Sequence, residues 1–172
     1  VVAAAGGSFL IEDRAPDEVF TPEDLTEEQV MMRQTALDFM NKDLVPQLPE
    51  LLKLDYELNR KLLRKAGELG LLGVEIPEEY GGLDLDKVSG CLVAEWAGCD
   101  ASFATTFAVQ VGIGTLPIFY YGTEEQKQKY LPKLVSGEWV SSYSLSEASS
   151  ASDAMNAKAR AVLSEDGKSW IL

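Results

Sequence analysis

A change in hydrophobic period near Gly137 limits the fold of this chain more than any other feature. Before Gly137, apolar residues recur three and four positions apart, which is the spacing of one helix face. After it, residues 139–146 alternate between polar residues and apolar or aromatic ones, as β-strands do. The sequence therefore predicts an α+β chain, in which an N-terminal all-α helical domain is followed by a truncated antiparallel β-domain.

Capping boxes mark two of the predicted helix starts. Thr26 with Gln29, and Thr123 with Gln126, have the spacing at which side chain and backbone exchange hydrogen bonds in a first helical turn. The run 102–121 is apolar almost all round, which predicts a helix buried in the domain centre and bent by its glycines and proline. The full set of predicted helices covers residues 26–44, 56–68, 86–98, 102–121 and 123–135.

Composition changes set the expected domain boundaries. The start of the chain mixes glycine, proline and acidic residues, and Phe9, Leu10 and Phe20 are its possible docking points. Two strands are predicted over 157–163 and 168–172, around a turn, and the second reaches Leu172 with no stop signal. The expected organisation is an extended lead-in over 1–24, a helical domain over 25–137 and the beginning of a β-domain over 138–172.

Composition also excludes several classes of function. The 172 residues carry 28 acidic and 15 basic side chains, a net charge of -13, which argues against binding nucleic acid. The chain contains no histidine, so Ser–His and Cys–His nucleophiles and histidine-ligated metal sites are excluded within it. Cys91 and Cys99 are expected to be small buried residues in a reducing compartment, since two cysteines form no disulfide framework.

One segment, residues 143–153, has the composition of a binding loop. A predicted strand there runs into small hydroxyl residues, which would present free backbone N–H groups and short side-chain donors. A planar heterocycle or a phosphate group needs such donors. Taken alone, a loop of this kind is more often a solvent-facing turn, and composition leaves both interpretations open.

Four stretches, in this order and at these intervals, resemble the acyl-CoA dehydrogenase family. They are Gly-Leu-Leu-Gly-Val-Glu-Ile-Pro-Glu-Glu-Tyr-Gly-Gly at 70–82, Gly-Thr-Leu-Pro-Ile at 114–118, the run 121–138 from Tyr-Gly-Thr to Ser-Gly-Glu, and Leu-Ser-Glu at 145–147 with Ser-Asp at 152–153. The resemblance spans about 21–172. The lead-in Gly-Ser-Phe at 7–9 is similar to members that act on very long acyl chains.

The resemblance implies a flavoenzyme of three domains, of which this chain would hold the helical domain and the start of the middle β-domain. Such an enzyme oxidises an acyl-CoA thioester at its α and β carbons in fatty acid β-oxidation and passes a hydride to FAD. It implies electron-transfer flavoprotein as the acceptor, a homo-oligomer and no transmembrane segment. The expected location is the cytoplasm of a bacterium or the mitochondrial matrix of a eukaryote.

The same resemblance assigns residues to the cofactor. Tyr143 and Leu145 would meet the flavin through their backbone, and Ser146 through its hydroxyl. Ser152 would reach the FAD pyrophosphate or the CoA. The catalytic base of the family is expected beyond Leu172, so no catalytic residue is predicted in this chain, and the isolated chain is expected to be inactive.

The resemblance also places part of the acyl-chain pocket on the predicted helix over 102–121. Thr105, Thr106 and Val109, with Ile113, would face the substrate tail. From the residues alone, ordinary helix packing explains the same side chains.

Three departures from the family pattern keep alternatives open. Ser146 stands where the family usually has threonine, Ala148 where it has proline and Ala151 where it has glycine. Ala148 and Ala151 favour one alternative, a non-catalytic module with a degenerate flavin loop. The other alternative is a flavin-dependent oxidase or monooxygenase of the same fold, because the domains that would decide it are expected outside this chain.

Overall fold

The computed structural model describes Gly7 and residues 10–172, so Ser8 and Phe9 of the lead-in lie outside the described residues. The chain divides into two compact units, Val1–Ser141 and Ser142–Leu172. The described part of the first unit is helical, and the second carries two short strands. A helical region followed by a small antiparallel sheet confirms the predicted fold class. The three-part domain division stays a prediction.

The helices of the first unit follow the sequence pattern closely. The predicted helix over 56–68 has these bounds in the structure, and the one over 86–98 lacks only its two capping residues. Proline-containing turns and a π-helical turn, Met40–Leu44, connect the first helices. The described α-helices are α1 Glu27–Phe39, α2 Leu48–Leu51, α3 Tyr56–Glu68, α4 Lys87–Ala97, α5 Ala101–Val109, α6 Leu116–Tyr121 and α7 Glu124–Val135.

The capping box of α1 also joins two helices. The Gln29 backbone N–H donates to Thr26 Oγ1 at 3.2 Å, and the Gln29 side-chain oxygen accepts from the Thr26 N–H at 3.0 Å. The remaining Gln29 amide donates to Asp86 Oδ2 at 2.8 Å, while Asp86 Oδ1 caps α4 by accepting from the Ser89 N–H at 2.9 Å. These hydrogen bonds lower the pKa of Asp86, chiefly through Ser89. A continuous series of hydrogen bonds through Gln29 and Asp86 therefore holds the start of α1 beside the start of α4.

The buried face of α1 differs from the predicted one. The apolar spacing predicts Val30 in the buried stripe, but Val30 is 49% exposed, whereas Met32, Ala36 and Phe39 are buried. Gln29 can occupy the first position of the buried face because its side-chain amide donates a hydrogen bond to the Asp86 carboxylate, which compensates for its burial. Phe39 continues the face into the core, where its ring lies 5.8 Å from that of Phe103 on α5.

The segment after α3 is a compact turn that depends on one glycine. A Cβ on Gly82 would lie 1.9 Å from the Ile76 carbonyl oxygen, so only glycine fits. The Asp84 N–H donates to that same carbonyl at 2.9 Å. Buried Tyr80 donates its hydroxyl to the Glu124 carboxylate of α7, and this hydrogen bond raises the pKa of Tyr80 to about 12. The turn is thereby attached to the start of α7.

The long apolar run is less buried than predicted. Within Ala101–Tyr121, α5 is followed by a π-helical turn, Gln110–Gly114, and then α6, which confirms the predicted break near the glycines. Burial on all sides was wrong: in this run only Phe103, Phe107, Gln110 and Thr115 are buried. An apolar composition does not show how many other helices pack around a segment. Here the described helices of this unit lie against one side of the run only.

The same run, Ala101–Tyr121, is long and apolar enough to cross a membrane by length and composition. Core helices of globular proteins also reach this length and composition. Here Phe103 contacts the aromatic rings of Phe39 and Phe107, and the buried Gln110 side chain is fully hydrogen-bonded within the unit. These contacts attach one side of the run to the helical unit, while the rest of the run is only partly buried or exposed.

The β-structure of the second unit is smaller than predicted. Strands β1 Val162–Leu163 and β2 Trp170–Ile171 pair antiparallel around the predicted turn. The predicted strand over 139–146 was wrong, since the described chain forms no ladder there. The Trp139 N–H donates to the Lys133 carbonyl and the Ser141 N–H to the Gln110 side chain, so the first part of this segment bonds to the helical unit instead of to a strand.

The two cysteines also differ from expectation. Cys91 and Cys99 are free and exposed, so the prediction of buried thiols was wrong. Cys91 lies on the outward face of α4 and Cys99 follows its end, because the core side of this helix is occupied by Val93 and Ala97.

A first prediction concerns the turn before α4. Gly82→Ala should lower the free energy of unfolding by about 3 kcal/mol, because the new methyl group meets a backbone carbonyl that cannot move aside. Gly112→Ala is the matched control: no atom lies within 4 Å of its added Cβ, and its effect should stay within about 1 kcal/mol. Urea unfolding followed by far-ultraviolet circular dichroism measures both. Equal midpoints for the two variants would contradict the packing described.

Candidate functional site

The predicted flavin-contacting residues lie in an open part of the second unit. Tyr143 and Leu145 are 51% and 41% exposed, and Ser146 is exposed. The backbone N–H groups of these residues and the Ser146 hydroxyl donate to no acceptor within residues 10–172. Exposed backbone with free donors can bind the polar edge of a heterocycle, so these residues fit an isoalloxazine ring.

The loop after this segment is a closed turn. The Glu147 N–H donates to the Ser150 carbonyl at 2.7 Å and the Ser150 N–H to the Glu147 carbonyl at 3.2 Å. The Ser150 side chain is buried and donates its hydroxyl to the Asp153 carbonyl. Ser152 stands exposed on the same loop. The turn thus holds Ser152 out toward solvent, where a phosphate oxygen could reach it.

Ala151 does not carry the strain that replacing a glycine would suggest. Among the described residues, the non-glycine residues with positive φ are Leu54 and Asp84. Ala151 is therefore in an ordinary backbone conformation, and its side chain is exposed. The methyl group costs the loop nothing of the kind that a left-handed position would impose.

The Glu147 carboxylate accepts two backbone hydrogen bonds that hold the loop closed, and we call them the Glu147 brace. Its Oε2 accepts from the Lys158 N–H at 2.8 Å and its Oε1 from the Ala159 N–H at 2.9 Å. These two backbone donors hold the pKa of Glu147 below its ordinary value. Because the Glu147 carboxylate binds two consecutive amides, eleven and twelve residues away, residues 147–159 form a closed loop.

The predicted acyl-contacting residues lie in the first unit and point in different directions. The Thr105 side chain is exposed, and its hydroxyl donates back to the Ala101 carbonyl at 2.8 Å. Thr106 is half-buried and lies 3.5 Å from the Asn59 side-chain nitrogen on α3. Val109 is half-buried one turn after Thr105, and Ile113 is 50% exposed. Thr105, Val109 and Ile113 therefore form an open stripe, while Thr106 turns toward α3.

Next to this stripe, the buried side chain of Gln110 binds the chain where it leaves the helical unit. Its Nε2 donates to the Leu134 carbonyl at 2.8 Å and to the Trp139 carbonyl at 2.9 Å. Its Oε1 accepts from the Ser141 N–H at 2.8 Å and the Ser141 hydroxyl at 3.0 Å. We call these four hydrogen bonds the Gln110 clamp.

Comparison with known proteins identifies the family to which this chain belongs. Residues 26–138 match the model of the acyl-CoA dehydrogenase N-terminal domain. The chain belongs to the acyl-CoA dehydrogenase family. A probable acyl-CoA dehydrogenase of Bacillus subtilis is 48% identical over 97% of this chain and 28% of its own length.

Solved structures of acyl-CoA dehydrogenase relatives agree with this assignment. The crystal structure of an acyl-CoA dehydrogenase complexed with FAD from Bacillus anthracis has a TM-score of 0.89 and 47% identity, over 98% of this chain and 29% of that one. A chain in the electron transferring flavoprotein structure of Acidaminococcus fermentans has a TM-score of 0.73 and 38% identity, over 85% of this chain and 38% of that one. This chain thus spans less than a third of the Bacillus subtilis relative and of the Bacillus anthracis structure described here.

Two residues of this acyl-CoA dehydrogenase chain escaped the sequence reasoning. Glu147 was noticed only as part of a motif, and no residue near it in the sequence signals its backbone partners at Lys158 and Ala159. Gln110 stands as a polar amide in an apolar run, which signals a buried polar group that needs partners. The sequence offered no sign of which partners either side chain would bind.

A second prediction follows from the Glu147 brace. A depressed folded pKa means that this contact stabilises the loop above the unfolded value of about 4.5 and is lost as pH falls through the lower folded value. The amide proton shifts of Lys158 and Ala159 should therefore titrate together, with a midpoint below that unfolded value. Nuclear magnetic resonance with nitrogen-15 labelling measures them.

The matched variants are Glu147→Gln and Glu165→Gln. The first should abolish this titration and move both amide signals at neutral pH, whereas Glu165 lies in the exposed turn before β2 and its change should leave them in place. Amide signals of Lys158 and Ala159 that ignore Glu147→Gln would show that the brace does not form.

Proposed function

We propose that the protein carrying this chain is an FAD-dependent acyl-CoA dehydrogenase, which oxidises acyl-CoA thioesters at the α and β carbons. The observation that carries the proposal is the free, exposed backbone of Tyr143–Ser146 in a member of this family. A relative of 47% identity was crystallised as a complex with FAD. When bound, FAD would supply the acceptor for the hydride that leaves the β carbon.

The residues of the second unit would hold the cofactor rather than react with it. The backbone of Tyr143 and Leu145 and the hydroxyl of Ser146 would donate hydrogen bonds to the flavin ring, which orients it and lets its polar atoms give up water. Ser152 would donate to a phosphate oxygen of FAD or CoA. The Glu147 brace and the Ser150 turn keep Ser152 exposed, so the loop needs little rearrangement to bind.

The open stripe of the first unit would bind the acyl chain. Val109 and Ile113 offer apolar surface that burial of an alkyl tail would stabilise, at about 25 cal/mol for each Å² removed from water. Thr105 satisfies its own hydroxyl on the helix backbone, so it presents its methyl group without an unmet polar atom. Thr106 faces Asn59 on α3, so it would border the acyl chain beside the stripe and not form part of the stripe itself.

The partner proposed for reoxidation is an electron-transfer flavoprotein. The support is similarity to a chain in the electron transferring flavoprotein structure of Acidaminococcus fermentans, together with the named acyl-CoA dehydrogenase relatives. A homo-oligomer, a preference for very long chains, and a cytoplasmic or mitochondrial location stay predictions from the resemblance.

The experiment that tests the proposed function uses the intact protein. It should purify with FAD bound, and an acyl-CoA should bleach the flavin absorbance in the absence of oxygen. Ser146→Ala should raise the dissociation constant for FAD about tenfold through loss of one hydroxyl donor, while Ser146→Thr should leave it nearly unchanged. Colourless protein that takes up no FAD would contradict the proposed function and support the alternative of a non-catalytic module. Flavin that is reduced and then rapidly reoxidised by oxygen alone would favour the oxidase.

A further prediction concerns the acyl stripe. Val109→Phe should lower kcat/KM for long acyl-CoA substrates about tenfold more than for short ones, because a larger side chain shortens an alkyl path. Steady-state kinetics with a series of acyl-CoA chain lengths measures this. Val30→Phe, on the exposed side of α1, is the control and should change no ratio. An equal loss at every chain length would place Val109 outside the acyl path.

A further inference from the structure

We propose that Gln110 is a positioning residue for the flavin-binding segment, and that it acts by anchoring Ser141 at the end of the helical unit. The inference rests on the proposed function, because it concerns how the segment 143–146 is presented to FAD. It adds a residue whose side chain is buried and whose polar atoms are all bonded within this chain. The Gln110 clamp is the observation that carries it.

The clamp uses the full polarity of a glutamine. Gln110 is 1% exposed, and each atom of its amide has two partners: Nε2 has the carbonyls of Leu134 and Trp139, and Oε1 has the N–H and hydroxyl of Ser141. A carboxylate at this position would face two carbonyl oxygens that it cannot donate to. An apolar side chain would leave the same four groups without partners inside the core.

The position of the clamp in the chain gives it influence over the flavin segment. Ser141 is the last residue of the first unit, and Tyr143 follows two residues later. Because two residues span at most about 7 Å of extended chain, an anchored Ser141 limits where the Tyr143 backbone can lie. Val109 precedes Gln110 directly, so the middle residue of the acyl stripe is the chain neighbour of the anchor.

A glycine makes room for the anchor. A Cβ on Gly114 would lie 2.0 Å from Ser141 Oγ and 2.4 Å from Ser141 Cβ. The Thr115 hydroxyl donates to the Gln110 carbonyl at 2.5 Å, which fixes the π-helical turn from its other end. Gly114 and Thr115 belong to the motif at 114–118 that resembles the family. This part of the motif therefore shapes the seat of Ser141.

The test compares three variants of the intact protein: Gln110→Glu keeps the size of the side chain, Gly114→Ala displaces Ser141 while leaving Gln110, and Gly112→Ala is the control with open space around its Cβ. We expect the first two to raise the dissociation constant for FAD about tenfold and to lower kcat with a smaller change in KM. In the cofactor-free protein, hydrogen–deuterium exchange should rise in peptides covering 139–142 and stay unchanged in α3. Gly112→Ala should match the wild type in all of these.

The outcomes separate this inference from the proposed function. Wild-type protein that binds no FAD overturns the proposed function, and with it the role of the clamp. Wild-type protein that binds FAD, with variants that unfold more easily but keep wild-type FAD affinity and flavin absorption spectrum, overturns the positioning role alone. If Gln110→Glu fails to fold, Gly114→Ala decides by the same measurements.

Discussion

One buried amide connects three parts of the helical unit. Gln110 lies in the π-helical turn between α5 and α6, and it binds the carbonyl of Leu134 near the end of α7 and the chain at Trp139 and Ser141. A buried amide with four good partners is stable in one arrangement only, because each lost partner leaves an unsatisfied polar group in the core. This constraint fixes where Ser141, the last residue of the first unit, lies against its helices.

In the second unit, after Ser141, the polar groups are of two kinds. Those of the turn are bonded: the Glu147 carboxylate holds the amides of Lys158 and Ala159, and the Ser150 hydroxyl holds the Asp153 carbonyl. The donors of Tyr143–Ser146 have no acceptor within the described residues. A braced loop beside open donors suits a binding site, since the ligand completes hydrogen bonds without first breaking others.

Local signals in the sequence predicted most helices, but not what they face. The boxes at Thr26 and Thr123 and the bounds of α3 depend on neighbouring residues, so the sequence alone was sufficient. The buried face of α1 depends on Asp86, which lies 57 residues from Gln29, and no periodicity carries that information. The start of the predicted strand over 139–146 is likewise held by a distant partner, because the Ser141 N–H bonds to the Gln110 side chain 31 residues away. The flavin segment itself was predicted through family motifs rather than composition.

We propose that the backbone donors of Tyr143–Ser146, which have no acceptor within the described residues, bind the flavin. Hydrogen–deuterium exchange of the intact protein, compared with and without saturating FAD, tests it most directly. We expect strong protection of peptides covering 143–146, and little change at the Lys158 and Ala159 amides, which the Glu147 carboxylate already binds. FAD that binds and leaves 143–146 exchanging at the cofactor-free rate would contradict the account.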